Sequence, residues 1–263
     1  MADGLRRVLV SGSVRLARAL DRAVSASTFV AAGLLSFEGL QRHMGDDWRH
    51  FGDHQPEVDV AGGLFPWEHG FYAPHLKPRD RILVVGCGTG RDLLALLELG
   101  FHADGLEPVV ELAQQARERL ARRGLHATVH TADIVTAALP EPIDVFILSW
   151  YCYSYIPQRR RRVAMLGRLR ERLAPHGRIL ITYILAEPPP RRALWRLAEL
   201  AARVSGVDWR PEYGDVFVAR HEIGRIHFEH RFTPDEIEAE AREAGLRVAH
   251  HAHAVDGSLA LVA

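Results

Sequence analysis

A glycine run between an apolar stretch and a helical one is where this sequence first offers chemistry. It reads Val84-Val85-Gly86-Cys87-Gly88-Thr89-Gly90-Arg91-Asp92. Glycines there let the backbone turn sharply and let a ligand come close to its N–H groups. The pattern is G-x-G-x-G. A dinucleotide fingerprint needs glycine or alanine three residues after Gly88, and Arg91 stands there instead. Glu107 follows 21 residues after Gly86, at the end of the next predicted strand. A carboxylate so placed can accept hydrogen bonds from both hydroxyls of a ribose. Loop and carboxylate together imply an adenosine ligand, with no demand for a pyrophosphate site. Each residue has a plainer reading: Asp133 alone would serve as a helix N-cap, Cys87 as a small filler and Cys152 as packing.

Further parts follow in order: LEP at 106–108, TADI at 131–134, IDVFILSW at 143–150 and LAPHGRILI at 173–181. With the glycine run, this ordered set resembles the class I S-adenosylmethionine-dependent methyltransferases over about residues 65–263. The resemblance implies S-adenosylmethionine as cofactor and S-adenosylhomocysteine as product. Gly86, Cys87, Gly88, Thr89, Gly90 and Asp92 would line the methionine and ribose portion, and Glu107 would bind the ribose. Pro108 would pack on adenosine, Asp133 and Ile134 would meet the adenine, and Ser149 and Trp150 would flank the transferring methyl. It also implies a seven-stranded sheet whose last strand is antiparallel.

Methyl transfer from a sulfonium needs orientation and desolvation, and a base only for some acceptors. The acceptor side is expected at Ser149-Trp150-Tyr151-Cys152-Tyr153-Ser154-Tyr155. It is aromatic, and it lacks the Asn/Asp-Pro-Pro-Tyr/Phe box of enzymes that methylate DNA bases or glutamine amides. Tyr151, Tyr153 and Tyr155, with Trp67 and Tyr72 upstream, are the expected substrate contacts. Trp67, Glu68 and Tyr72 also resemble the upstream segment that closes over the methionine end in many relatives, and Trp48 and Phe51 are candidates to join them. His230, just before a predicted helix start, is the first candidate for a base, and His69 the second. His221, His227, His230, His250, His251 and His253 lack an acidic ligand set with convincing spacing, so no metal is expected. The run Arg159-Arg160-Arg161-Arg162 reads as a solvated first helical turn, or else as a phosphate contact.

These residues must be held by alternating strands and helices. Strands are predicted at 81–85, 103–106, 127–131, 143–150 and 178–185, with helices at 92–99, 109–123 and 160–173 between them. Ala174-Pro175-His176-Gly177 is expected to stop the last of these helices. The fold class is therefore α/β, a doubly wound and mostly parallel sheet. Residues 1–64 are expected to form a helical cap ending in a loop from Gly45 to Gly63. Residues 65–263 would be the methyltransferase domain, with 187–232 inserted as a helix and hairpin lid. Thr233-Pro234-Asp235-Glu236 predicts an N-cap, a first-turn proline and a capping box. Val14, Leu16, Ala17, Leu20 and Val24 among arginines read as a cap helix packed on the body, in preference to a membrane-surface helix.

The chain has 263 residues, 33 basic and 33 acidic side chains, and two cysteines. Zero net charge argues against bulk attraction to nucleic acid. Two cysteines exclude a disulfide framework. No spanning segment or leader is visible, and a cytoplasmic location is expected. The expected activity is methylation of oxygen or nitrogen on a small-molecule acceptor. RNA or protein methylation, a catalytically silent cofactor-binding relative, and non-methyl chemistry on the same cofactor are the alternatives.

Overall fold

The computed structural model describes residues 2–55, 62–135, 137–138, 142–253 and 257–263. Among the described residues the chain forms α1 (Ala2–Leu34), α2 (Phe37–His54), α3 (Pro66–Tyr72), β1 (Arg81–Val85), α4 (Arg91–Glu98), β2 (His102–Glu107) and α5 (Val110–Arg122). There follow β3 (Val129–Thr131), β4 (Ile143–Leu148), α6 (Arg159–Glu171), β5 (Leu173–Tyr183), α7 (Arg192–Ser205), β6 (Asp215–Arg220), β7 (Arg225–His230), α8 (Pro234–Glu243), β8 (Arg247–His253) and β9 (Gly257–Val262). No helix among them is long and apolar enough to cross a membrane.

Two compact units are present. One comprises residues 48–188 and 229–263 and carries a seven-stranded sheet in the order β3-β2-β1-β4-β5-β9-β8. β1 to β5 pair in parallel, and β9 runs antiparallel to both β5 and β8. The sheet is buried on both faces, and alternate residues of each strand feed opposite cores. Leu83, Val85, Phe146, Leu148, Ile179 and Ile181 join the α6 and α8 side, whereas Ile82, Val84, Val145, Ile147 and Leu180 join the α4 and α5 side. Such a sheet delivers the carboxyl ends of β1, β2 and β4 to one rim, the usual ligand side of an open α/β sheet.

The other unit comprises residues 1–47 and 189–228. Its core is Phe29, Phe37, Leu40, Ala198, Trp209, Phe217, Ile226 and Phe228 around a two-stranded β6–β7 sheet. Trp209 Nε1 donates to the Leu35 carbonyl at 2.7 Å, and Asp208 accepts the Phe37 N–H at 2.8 Å. Asp47 accepts from His227 Nδ1 at 2.6 Å and from Arg220 at 3.1 Å.

Four expectations change. The loop expected from Gly45 is helix as far as His54, and only residues 56–61 of it lie outside the described residues. Asp46 and Asp47, poor helix formers on their own, are held there by Arg225, Arg220 and His227. Second, the packed cap helix holds only for the last turns of α1, where Thr28, Phe29 and Ala32 are buried. Residues 10–24 are exposed, Val14, Leu16, Leu20 and Val24 included. Third, Ala174-Pro175-His176-Gly177 lies inside β5, because α6 already ends at Glu171. Pairing with β4 jumps there from Ile143–Leu173 to Val145–Arg178, so the four residues bulge out of the ladder. Fourth, β8 had no signal: its exposed histidines do not alternate, and pairing with β9 makes it a strand.

Candidate functional site

The glycine loop leaves β1 and turns back before α4. Gly86, Gly88 and Gly90 all have positive φ. The Gly86 and Cys87 N–H groups donate to the Leu106 carbonyl, and the Gly90 N–H returns to Cys87 at 2.9 Å. A side chain at Gly88 would meet nothing within 4 Å, so the backbone faces open space. One at Gly86 would strike Cys152 Sγ at 2.6 Å. Cys87 and Cys152 are free thiols. Burial pushes Cys87 well up and Cys152 up to about 12, which disfavours the thiolate each would need as a nucleophile.

Glu107 ends β2 with its carboxylate turned to the loop. Its Oε2 accepts the Gly88 N–H and its Oε1 the Val109 N–H, both at 2.9 Å. Each oxygen keeps a second lone pair. Burial pushes the group up to about 7 against the two backbone donors. A raised carboxylate favours unfolding as pH climbs from the unfolded value near 4.5 to about 7, because only the unfolded chain is then ionised. Melting curves of Glu107→Gln and the parent, taken without ligand from pH 4.5 to 8, should therefore diverge. The variant is expected to gain relative stability across that window and hold it above.

Thr89 Oγ1 donates to Gln55 Oε1 at 2.6 Å, which ties the end of α2 to the loop. Arg49 pairs with Glu111, and Gln115 with Asp53, along the same face. Asp133 is exposed, and its Oδ1 accepts the Val135 N–H at 2.6 Å across a turn; no helix starts there among the described residues, so the bond closes a turn and caps no helix. Ile134 beside it is buried.

After β4, Ser149 is buried, and Trp150 and Tyr151 take φ of 38° and 63°. Two bulky residues in left-handed backbone cost about 1–3 kcal/mol each. The Thr182 hydroxyl holds the second by accepting its N–H at 3.0 Å. The turn aims both rings at a cluster. Trp67 lies parallel to Tyr151 at 6.0 Å, and Phe65 parallel to Trp67 at 6.5 Å. Phe51 and Phe65 meet Trp150 edge-on at 5.5 and 6.3 Å, and Trp48 joins Phe51 to Tyr155. The Arg91 guanidinium sits 4.6 Å from the Phe65 ring centre and 4.8 Å from that of Trp150. Phe51, Phe65 and Trp67 keep large exposed areas.

Beneath the rings, Glu68 and Asp92 grip Arg91 from either side, at 2.5 and 2.6 Å. All three are almost fully buried. The Tyr72 hydroxyl, Arg91 Nη1 and Asp92 Oδ2 have no hydrogen-bond partner. Sequence reasoning had Glu68 only as part of the Trp67–Tyr72 segment and did not pair it with Arg91. The signal of Arg91 was an arginine where the dinucleotide pattern fails.

Other expected residues fall elsewhere. Tyr153 is fully buried and donates to Glu240 Oε2 at 2.6 Å, so it supports the post-β4 turn from below. His230 is fully buried at the end of β7, with Nε2 3.1 Å from Glu236 and its ring against Phe232. His69 is exposed on α3. The arginine run divides: Arg162 is buried and forks onto Glu240, Arg159 bonds Glu243, and Arg160 and Arg161 bond Gln158. Its expected solvated turn is thus half a buried ion pair.

Residues 68–251 match the sequence family described as a methyltransferase domain. The chain belongs to the class I S-adenosylmethionine-dependent methyltransferases. A ribosomal protein L11 methyltransferase of Thermus thermophilus is 32% identical over 119 residues, which is 45% of this chain and 44% of that protein. A protein-L-isoaspartate O-methyltransferase of Methylorubrum extorquens is 33% identical over 124 residues, 46% and 48% of the two chains. The matched part thus spans about half the length of these curated relatives. Among solved structures, an S-adenosylmethionine-dependent methyltransferase from Methanosarcina mazei aligns over 76% of this chain and 97% of its own, with TM-score 0.59 and 17% identity. A glycopeptide N-methyltransferase complexed with S-adenosylmethionine aligns over 74% and 91%, with TM-score 0.56 and 20% identity. These likenesses concern the fold. This methyltransferase's site fits its family's cofactor on local grounds: open space over Gly88, a carboxylate with lone pairs to spare, and orphaned polar atoms at the loop's far side.

Proposed function

We propose that this methyltransferase acts on an oxygen or nitrogen atom of a small, flat, moderately apolar molecule. The row of parallel rings, Phe65 on Trp67 on Tyr151, carries the reading. Such ring faces suit a planar acceptor, because offset stacking adds about 0.5–1.5 kcal/mol per pair beyond buried area. When bound, S-adenosylmethionine supplies a methyl group activated on a sulfonium. Residues 86–90, with Asp92 and Ser149, would hold its methionine and ribose portion. Glu107 would hold the ribose, Pro108 would pack on adenosine, and Asp133 and Ile134 would meet the adenine edge. Trp150, Trp67, Tyr72, Tyr151 and Tyr155 would wall the acceptor side, exclude water and align the acceptor lone pair with the methyl. Tyr153 would act through the turn it supports. His69, exposed beside Trp67, is the histidine proposed to take a proton from a hydroxyl or ammonium acceptor. His230 is proposed as a positioning residue through Glu236.

Calorimetric titration with S-adenosylhomocysteine tests the cofactor reading, and absence of heat at millimolar ligand would overturn it. Labelled methyl transfer to metabolite, peptide and RNA pools tests the acceptor. Label in the metabolite pool is expected. Label in the peptide pool would favour the second reading, protein methylation, which the local identity to two protein methyltransferases motivates. The variant Arg160→Glu with Arg161→Glu is expected to keep parental turnover within about twofold, because both side chains bond Gln158 and lie outside the buried core, where charge changes rarely exceed about 0.5 kcal/mol. A drop of tenfold or more on RNA would instead assign the run to nucleic acid.

A further inference from the structure

The Glu68–Arg91–Asp92 cluster carries two carboxylates on one guanidinium, out of water. Glu68 is 0% exposed, Asp92 2% and Arg91 4%. The groups facing it come from every side: Tyr72 and Glu68 on α3, Arg91 and Asp92 on α4, Cys87 in the glycine loop, and Ser149 and Tyr151 beyond β4. Arginine supplies the sole cation among these groups. With both carboxylates ionised, the cluster keeps an excess negative charge that none of these groups, among the described residues, neutralises. Burying an unbalanced charge is costly, and a protein answers by keeping a proton. Burial and the neighbouring Asp92 push Glu68 up to about 7, and burial likewise raises Asp92.

The geometry around that charge is incomplete. Arg91 Nη1, Asp92 Oδ2 and the Tyr72 hydroxyl are buried without partners, although each is a strong donor or acceptor. Buried polar groups are nearly always satisfied, so three orphans in one cluster mark a ligand's place. The set offers one cationic donor, one anionic acceptor and one net negative charge. A zwitterionic amino-acid end would satisfy the first two, and a sulfonium would balance the third. S-adenosylmethionine carries both and is +1 overall, whereas S-adenosylhomocysteine lacks the sulfonium and is neutral.

We propose that Glu68, Arg91 and Asp92 hold one shared proton in the free enzyme and release it when S-adenosylmethionine binds, so that the cluster selects the charged cofactor over its neutral product. This rests on the methyltransferase reading. One carboxyl O–H bond breaks, its electron pair stays on the carboxylate, and the proton goes to the buffer. No other bond changes. After methyl transfer the sulfur is neutral, the cluster takes a proton back, and the product's hold weakens.

Calorimetric titration of the full chain in phosphate, imidazole and Tris buffers reads the proton directly, as the slope of observed heat against buffer ionisation heat. At pH 6.5–7 S-adenosylmethionine is expected to release most of one proton more than S-adenosylhomocysteine does, since any proton that Glu107 gives up on meeting the ribose is common to both ligands. The release should vanish by pH 9. The ratio of affinities, S-adenosylmethionine over S-adenosylhomocysteine, should rise about tenfold from pH 6 to 8, the ribose contact of Glu107 cancelling between them. Glu68→Gln, or Asp92→Asn if the first does not fold, should abolish the difference in proton release between the two ligands and cut the preference for S-adenosylmethionine over S-adenosylhomocysteine. A zero slope with S-adenosylmethionine from pH 6 to 9, or equal slopes for both ligands, overturns the proposal while leaving the methyltransferase reading intact. Failure of both ligands to bind the parent chain overturns both.

Discussion

Glu240→Ala is expected to cost this protein about 3–5 kcal/mol, the penalty for stranding one partner of a buried ion pair. Arg162 forks onto Glu240 through Nε at 3.0 Å and Nη2 at 2.7 Å, and both side chains are fully buried. Tyr153 donates its hydroxyl to the same carboxylate, and Arg162 Nη1 reaches the Ile156 carbonyl at 3.2 Å. Removing the carboxylate leaves the guanidinium over the Phe232 ring with the Ile156 carbonyl and, farther off, the Glu236 carboxylate. For a chain of this size the loss lowers the melting temperature by about 10 °C. The double change Arg162→Met with Glu240→Leu should cost clearly less, since no charge is left unpaired. Tyr153→Phe should cost about 1 kcal/mol. Denaturant titration of the three variants checks the order; a double variant worse than Glu240→Ala would refute the stranded-charge account. Turnover should fall along with stability, because Tyr153 and Ile156 bracket the turn that carries Tyr151 and Tyr155.

Glu107→Ala is expected to weaken cofactor binding about a hundredfold, close to 3 kcal/mol. Its oxygens already fix the Gly88 and Val109 N–H groups, and their remaining lone pairs are the only carboxylate acceptors at the end of β2 among the described residues. The alanine would remove the ribose contact and loosen the loop together. Glu107→Gln keeps one acceptor oxygen and should lose about tenfold. Calorimetry with S-adenosylhomocysteine gives both affinities, and ligand-free melts separate loosening from lost contact. An alanine variant that binds within twofold of the parent would remove Glu107 from the site.

What was legible in the sequence depended on short-range rules. The glycine loop, the apolar runs of β1 and β4 and the Thr233-Pro234 helix start are set by sterics and by neighbours a few residues away. The Thr233 side chain does accept the Glu236 N–H, at 3.3 Å. The pairing of Glu68 with Arg91 was not legible, because they are 23 residues apart and only the packing of α3 against α4 brings them together. The arginine run hid its buried member for a related reason. Four like residues look alike in order, but helical spacing turns Arg159 and Arg162 toward α8 and leaves Arg160 and Arg161 to Gln158. Asp46 and Asp47 argue for a loop by propensity; partners about 173 to 180 residues later overrule it.

The two ends of the seven-stranded sheet bear on how this protein behaves in a tube. A chain with no net charge has no long-range repulsion to keep its copies apart. Open sheet edges are then the obvious route to fibrous precipitate, since each is a template for another strand. Here one edge, β3, is three residues long, and the other, β8, presents Arg247 and His253 to solvent. A short edge offers too few hydrogen bonds to recruit a strand, and a polar, charged one is a poor template for an apolar partner strand. Colloidal stability in this molecule therefore falls to its outermost strands rather than to its overall charge.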